Sequence, residues 1–261
     1  MAQLVMCYVI ALFLPVTFLT KQGLYCIKTT EHKSLPGSEN AEEMGICKPW
    51  SHESCCDTKT AQKITTLDRF YIPGVPLNQC PDHTLSAKCK QYFQYDLCLY
   101  QCGSMFLPWV QSVINGKTRK ERLRGIPLCS NDCDSWFEAC RDDYTCSSTW
   151  YPNSFTTQEG QPVCVDQCKT FKDYHQNSKQ FCETIFKGSF KYSRTGDKCC
   201  MKLSPESAEE NMKCARLYSD TTRLIRFNEI FFILIVAGCL LLLIVMFVHR
   251  GRLRRVYGLW V

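Results

Sequence analysis

The sequence predicts a helix-dominated α+β domain, disulfide-rich and with short strands and long loops, followed by one C-terminal transmembrane helix. Three observations carry this. Of 20 cysteines, all but Cys7 and Cys239 lie between Cys26 and Cys214, an even set of eighteen flanked by an apolar stretch at each end. Many of them recur at helical spacing beside apolar residues. Residues 230–248 read IFFILIVAGCLLLLIVMFV, without a charge. Cysteine at this density belongs to an oxidising compartment, where cross-links constrain the unfolded chain and relieve the fold of needing an extensive apolar core.

Residues 1–20, MAQLVMCYVIALFLPVTFLT, form an apolar run broken by Pro15. It is short and weakly flanked for a spanning helix and reads as a signal peptide, with Lys21 as the nominal start of the mature chain. Residues 21–220 then form one extracellular domain, since no Gly/Ser-rich or Pro-rich linker divides them and no internal repeat appears. Within it, residues 31–43 are polar and contain Pro36 and Gly37, the signature of a surface loop.

The segment SAKCKQYFQYDLCLYQC places Tyr92, Tyr95, Leu99 and Cys102 at three- and four-residue steps, which predicts a helix. A second helix is expected from an N-cap at Ser130 or Asp132 through SWFEACRDDY, with Cys133, Phe137 and Cys140 on one stripe. Residues 183–191 read as strand, and residues 204–220 as a stalk or terminal helix. A juxtamembrane piece, residues 221–229, leads to the span at 230–248. Residues 249–261 make a cytoplasmic tail in which Arg250, Arg252, Arg254 and Arg255 hold the helix end inside. A charged end after the apolar run also argues against a cleaved lipid-anchor signal.

The spacing C-x-x-x-C occurs at Cys98/Cys102, Cys129/Cys133 and Cys164/Cys168. On a helix such side chains stand about 5–6 Å apart at Cβ, too far for a disulfide. Each pair must bridge outward to two different partners, and adjacent Cys55 and Cys56 must do likewise.

Several function classes drop out. Net charge is +6, of which the tail arginines supply four, so no nucleic-acid footprint remains. The run Lys117, Arg119, Lys120, Arg122, Arg124 is interrupted by Glu121 and reads as a solvated face. The five histidines show no zinc-ligand spacing, and neither G-x-S-x-G nor H-E-x-x-H is present, so no enzyme, metal or cofactor is expected.

From Cys47 onward the strings CKPWSHESCC, YDLCLYQC, LPWVQSV, RKER, IPLCSNDCDSWFEACRDDYTC and CETIFKGSFKYSR resemble the folate receptor family, over roughly residues 26–199. The resemblance implies disulfides Cys26–Cys55, Cys47–Cys98, Cys56–Cys102, Cys80–Cys168, Cys89–Cys140, Cys129–Cys199, Cys133–Cys182 and Cys146–Cys164. Cys200 and Cys214 are left to pair with each other. It also implies an aromatic-lined pocket for a pteridine head. There Asp96 would accept the heterocycle's N–H bonds, since a carboxylate presents acceptors only. Tyr100 and Phe70 match stacking residues, Arg119 and Arg122 match arginines that bond the heterocycle, and Ser189 matches a pocket serine. Phe186 and Phe190 stand where the family has a tryptophan and a tyrosine. Trp50, Trp109, Trp136 and Trp150 read as packing residues.

The chain also departs from the family. After YTCSSTW, where the family carries a His-Lys-Gly-Trp-Asn-Trp stretch, it has Tyr151, Pro152, Asn153, Ser154, Phe155 and Thr156. Thr118 replaces a tryptophan, and Asp68 and Ile72 replace aromatics. The implied function is a plasma-membrane, single-pass type I receptor that binds folate, a pterin or a similar flat vitamin for uptake, a riboflavin-type carrier included. The alternative is a cell-surface recognition or adhesion protein on the same scaffold, Juno-like and without folate binding. The expected partners are the vitamin ligand and the lipid bilayer, with a cell-surface protein in the alternative.

Overall fold

The computed structural model describes residues 24–66, 75, 77–80, 82–114, 119–150, 155–158, 161–194 and 199–257. The expected signal peptide lies outside them. The principal helix is α2 (Ala87–Cys102), preceded by α1 (Thr58–Thr66). α2 starts where the Ser86 side chain accepts a bond from the Cys89 amide, satisfying one of the orphan donors of a helix start. It stops at Gly103, whose N–H bonds the Leu99 carbonyl. A Cβ at Gly103 would lie 2.5 Å from that oxygen and 2.8 Å from Phe106 Cε2, so only glycine ends the helix there.

Helix α3 (Ser130–Cys140) follows β3 (Ile126–Cys129) without a break, so Cys129 takes the N-cap place expected for Ser130 or Asp132. The Asp132 carboxylate instead accepts from the Leu203 amide at 2.8 Å, tying α3 to the later chain. Residues 183–191 are not one strand. Helix α5 (Ser178–Thr184), after the short α4 (Phe171–Tyr174), is capped by Asn177 and runs into a turn with Lys187 at φ 52° and Gly188 at φ 79°. Only then does β8 (Phe190–Ser193) begin. The left-handed pair breaks the extended run that periodicity alone suggests.

The strands form two-stranded ladders. β1 (Val110–Ser112) pairs antiparallel with β2 (Glu121–Leu123), and β4 (Tyr144–Thr145) with β7 (Lys169–Thr170). β5 (Phe155–Gln158) pairs antiparallel with β6 (Gln161–Cys164). β3 and β8 are parallel, Ile126 facing Phe190. The core between α2, α3 and α5 is an aromatic cluster: Phe93 stacks on Trp150 at 4.3 Å, and Trp136 meets Phe93 and Phe181 edge-on at 5.2 and 5.1 Å.

All eighteen domain cysteines are cross-linked, and every C-x-x-x-C pair bridges outward to separate partners. Two pairings differ from those the resemblance implies. Cys129 bonds Cys200, not Cys199, and Cys199 bonds Cys214. Strand register decides the swap. Met201 lies beside β3 through Cys129 N–H to Met201 O (2.9 Å) and Met201 N–H to Pro127 O (2.7 Å). Neighbouring side chains on an extended segment point opposite ways. Cys200 therefore faces Cys129, and Cys199 faces the last helix. Cys199→Ser is expected to free Cys214 for alkylation, read by mass mapping; labelling of Cys129 would restore the other pairing.

That last helix, α6 (Ala208–Tyr257), begins inside the domain. Ala208, Cys214 and Ala215 are buried, Asn211 bonds both the amide and the carbonyl of Lys202 at 2.8 Å, and Tyr218 packs on Trp109 at 5.1 Å. Residues 204–220 are thus a docked helix start more than a free stalk. Further along, side chains are described over residues 230–246. Among the described residues no helix is long and apolar enough to cross a membrane.

Candidate ligand-binding site

Along α2 the residues Cys89, Phe93, Asp96 and Tyr100 follow one another at three- and four-residue steps on the inward face. Asp96 is therefore buried by the same periodicity that buries the cysteines; it is 4% exposed. Among the described residues it has no ion-pair or hydrogen-bond partner. Burial pushes its carboxyl from the usual carboxylate range up to about 8. A charge held this way is costly unless donors reach it, so without such donors Asp96 is mostly a protonated acid at neutral pH.

Tyr100 stands one turn further on. Burial raises its phenol, the Arg119 charge opposes that shift and the Asp96 charge adds to it, so both charges reach the same hydroxyl. The Arg119 guanidinium carbon lies 5.7 Å from the Tyr100 ring centre, a cation–π distance. Its Nε donates to the Glu121 carbonyl at 3.0 Å. The N-terminal segment holds this arrangement: Thr29 bridges Arg119 in antiparallel fashion, and Lys120 N–H reaches Lys28 O at 3.0 Å. Buried Glu121 accepts from the Tyr25 hydroxyl at 2.7 and 2.8 Å and from the Lys28 amide at 2.8 Å. Burial, reinforced by Glu121, pushes that Tyr25 hydroxyl up to about 12.

The structure thus brings Asp96, Tyr100 and Arg119 together. Arg122, paired with Gln111, lies by strand alternation on the face of β2 opposite Glu121 and Leu123. Phe70, with Asp68, Ile72, Thr118 and residues 151–154, lies outside the described residues. Phe186 is half-buried, in ring contact with Phe93 (6.5 Å) and Trp136 (6.1 Å). Phe190, 5% exposed, sits 6.4 Å from Trp136 within the core. Ser189 donates its hydroxyl to the Phe186 carbonyl at 2.9 Å, closing the turn before β8 and leaving its lone pairs to accept. His32, read only as part of a loop, is in the site: it bonds the Tyr100 carbonyl at 3.1 Å and meets the Tyr100 ring edge-on at 5.3 Å. A lone histidine in a polar stretch gives no periodic signal that finds it.

Among the described residues no group of His, Cys, Asp or Glu is placed to hold a metal ion. A buried acid beside a tyrosine and an arginine, on a disulfide scaffold, is equipped to recognise a small molecule non-covalently. The folate receptor family model matches residues 25–202. The chain belongs to the folate receptor family. It is 33% identical to folate receptor alpha of Homo sapiens over 199 residues, covering 74% of this chain and 76% of that protein. Folate receptor gamma of Homo sapiens is likewise 33% identical over 202 residues, 74% and 79% of the two chains. Riboflavin-binding protein of Gallus gallus is 26% identical over 192 residues, 74% and 77%. These relatives are named as receptors and a binding protein.

Proposed function

We propose that this domain binds folate, a pterin or a similar flat vitamin non-covalently and serves its uptake at the cell surface. The observation that supports it best is Asp96, buried without a partner among the described residues and one helical turn from Tyr100, whose ring carries Arg119 over it. A heterocycle edge with adjacent N–H groups gives the carboxylate the donors it lacks, which returns its pKa downward and releases a proton on binding. Tyr100 supplies stacking area, and Arg119 a cation for a ligand oxygen. Because residues 151–156 lack the family's tryptophans and lysine, the head of the ligand carries more of the affinity than its tail.

The basic tail after residues 230–248 supports placing the domain outside the cell, with the apolar part of α6 as a single membrane anchor and residues 1–20 as the signal peptide. Titration of the full-length chain with folate, reduced folates and riboflavin is expected to show binding that Asp96→Ala weakens at least about a hundredfold, the cost of losing a charge-assisted bond pair. Absence of binding to any of them at micromolar concentration would remove the vitamin reading and leave the scaffold to protein recognition.

A further inference from the structure

His32 contacts both Tyr100 and Thr29, the residue whose backbone bridges Arg119, and nothing in its sequence surroundings announces it. Its Nε2 lies 3.1 Å from the Tyr100 carbonyl, and its Nδ1 lies 2.6 Å from the Thr29 hydroxyl. A backbone carbonyl can only accept, so Nε2 carries the proton and donates to it. Nδ1 is then the bare nitrogen, and the Thr29 hydroxyl donates to it. The tautomer is fixed from both sides. Burial, helped by the Arg119 charge, lowers the imidazole pKa to about 4 and keeps this neutral form across the physiological range.

Each contact of the ring fixes a different part of the wall. The Tyr100 carbonyl belongs to the last turn of α2, where helix carbonyls have no partner within the helix, so the imidazole closes one of them. The imidazole edge against Tyr100, at an interplanar angle of 84°, restricts that ring's rotation. Thr29, bonded to the other nitrogen, is the residue whose backbone bridges Arg119. The segment carrying both is rooted by Cys26–Cys55 and by Tyr25 on Glu121.

We propose that His32 is a positioning residue: it sets the angle of the Tyr100 ring and the place of Arg119 over it, and thereby which flat heterocycle the site accepts. The inference rests on the heterocycle-binding reading for its consequence, but its geometry can be tested without a ligand. Two-ring and three-ring heterocycles need different overlap with an aromatic wall. A wall free to rotate should bind both less well and distinguish them less.

Two readouts on the full-length chain test this. In the free protein, the Tyr100 ring current should shift the side-chain protons of isotopically labelled Arg119. His32→Ala should abolish that shift, and His32→Gln, which keeps a donor for the Tyr100 carbonyl, should largely restore it. Thr29→Val removes the hydroxyl alone and should give part of the loss, which keeps the test decisive if the alanine variant does not fold. In titrations, His32→Ala should lower folate affinity roughly tenfold and bring the folate-to-riboflavin affinity ratio toward one, while His32→Gln stays within about threefold of the parent, as one retained hydrogen bond implies. An Arg119 shift and an affinity ratio that are both unchanged in His32→Ala would overturn the proposal. If the parent binds neither vitamin but the shift is lost in His32→Ala, the positioning role stands and the vitamin reading falls.

Discussion

Asp96→Asn is expected to stabilise the empty protein at pH 7.4 while weakening its hold on ligand. The Asp96 carboxyl titrates near 8 in the folded chain, raised by burial alone, against about 3.9 unfolded. Between those values the folded state binds more protons, so the Asp96 contribution to stability is greatest below pH 4 and is lost as pH rises toward 8. At pH 7.4 the penalty approaches about 5 kcal/mol at 1.36 kcal/mol per pKa unit. An amide of the same shape carries no charge to desolvate, but its own unmatched bonds cost about 1–3 kcal/mol. The net expectation is a gain of about 2–4 kcal/mol, seen as a higher denaturant midpoint that disappears when the comparison is made at pH 4. Affinity should move the other way, because Asn offers one acceptor and a donor where the ligand edge needs two acceptors. A residue that stabilises only the complex is kept for binding; equal midpoints for parent and Asp96→Asn at pH 7.4 would show that the carboxyl is already satisfied in the free chain.

What could be read beforehand follows the range of the interaction. Cysteine spacing and the periodicity of residues 86–102 are local, and they located α2 and required outward-bridging disulfides. The choice between Cys199 and Cys200 was not local, since it depends on how Met201 registers against β3. Arg119 and Arg122 look equivalent in the string RKER, but strand alternation separates them, and only Arg119 meets Tyr100. Asp96 falls on the buried stripe by its spacing from Phe93 and Cys89, so its burial was legible once the helix was assigned. His32 was not, because its partner Tyr100 is 68 residues away and the intervening path is set by cross-links.

His175→Phe is expected to make the protein more resistant to acid. His175 sits between α4 and α5, 1% exposed, at 5.3 Å from the Phe181 ring and 6.5 Å from Phe171. The Thr184 hydroxyl donates to the Gln180 carbonyl at 2.7 Å, so toward His175 it can only accept, and Nδ1 must carry the imidazole proton. Nε2 is left buried with no hydrogen-bond partner among the described residues. Protonating it would place a charge and an unmatched N–H among aromatic rings, and burial accordingly lowers the pKa to about 4. With the folded value below the unfolded 6.5, the unfolded chain binds the extra proton first. The His175 contribution to stability is therefore full above pH 6.5 and falls as pH drops toward 4, by up to about 3 kcal/mol. His32, lowered in the same direction, adds to the loss. Asp96 opposes it over this range, so one of the two histidine contributions is offset and the other sets the net slope. Phenylalanine fills the ring's place, gives up one 3.2 Å bond to Thr184, and removes the proton uptake. The slope of unfolding free energy against pH between 4 and 6.5 should then fall by about one proton, close to level, as measured by denaturant titrations across that range. A slope identical to the parent's would mean that the acid sensitivity lies elsewhere and that Nε2 finds a partner in solution. Because α5 carries Cys182 and packs on α3 and β8, the loss should appear first in amide exchange of Phe181 and Cys182, ahead of α2.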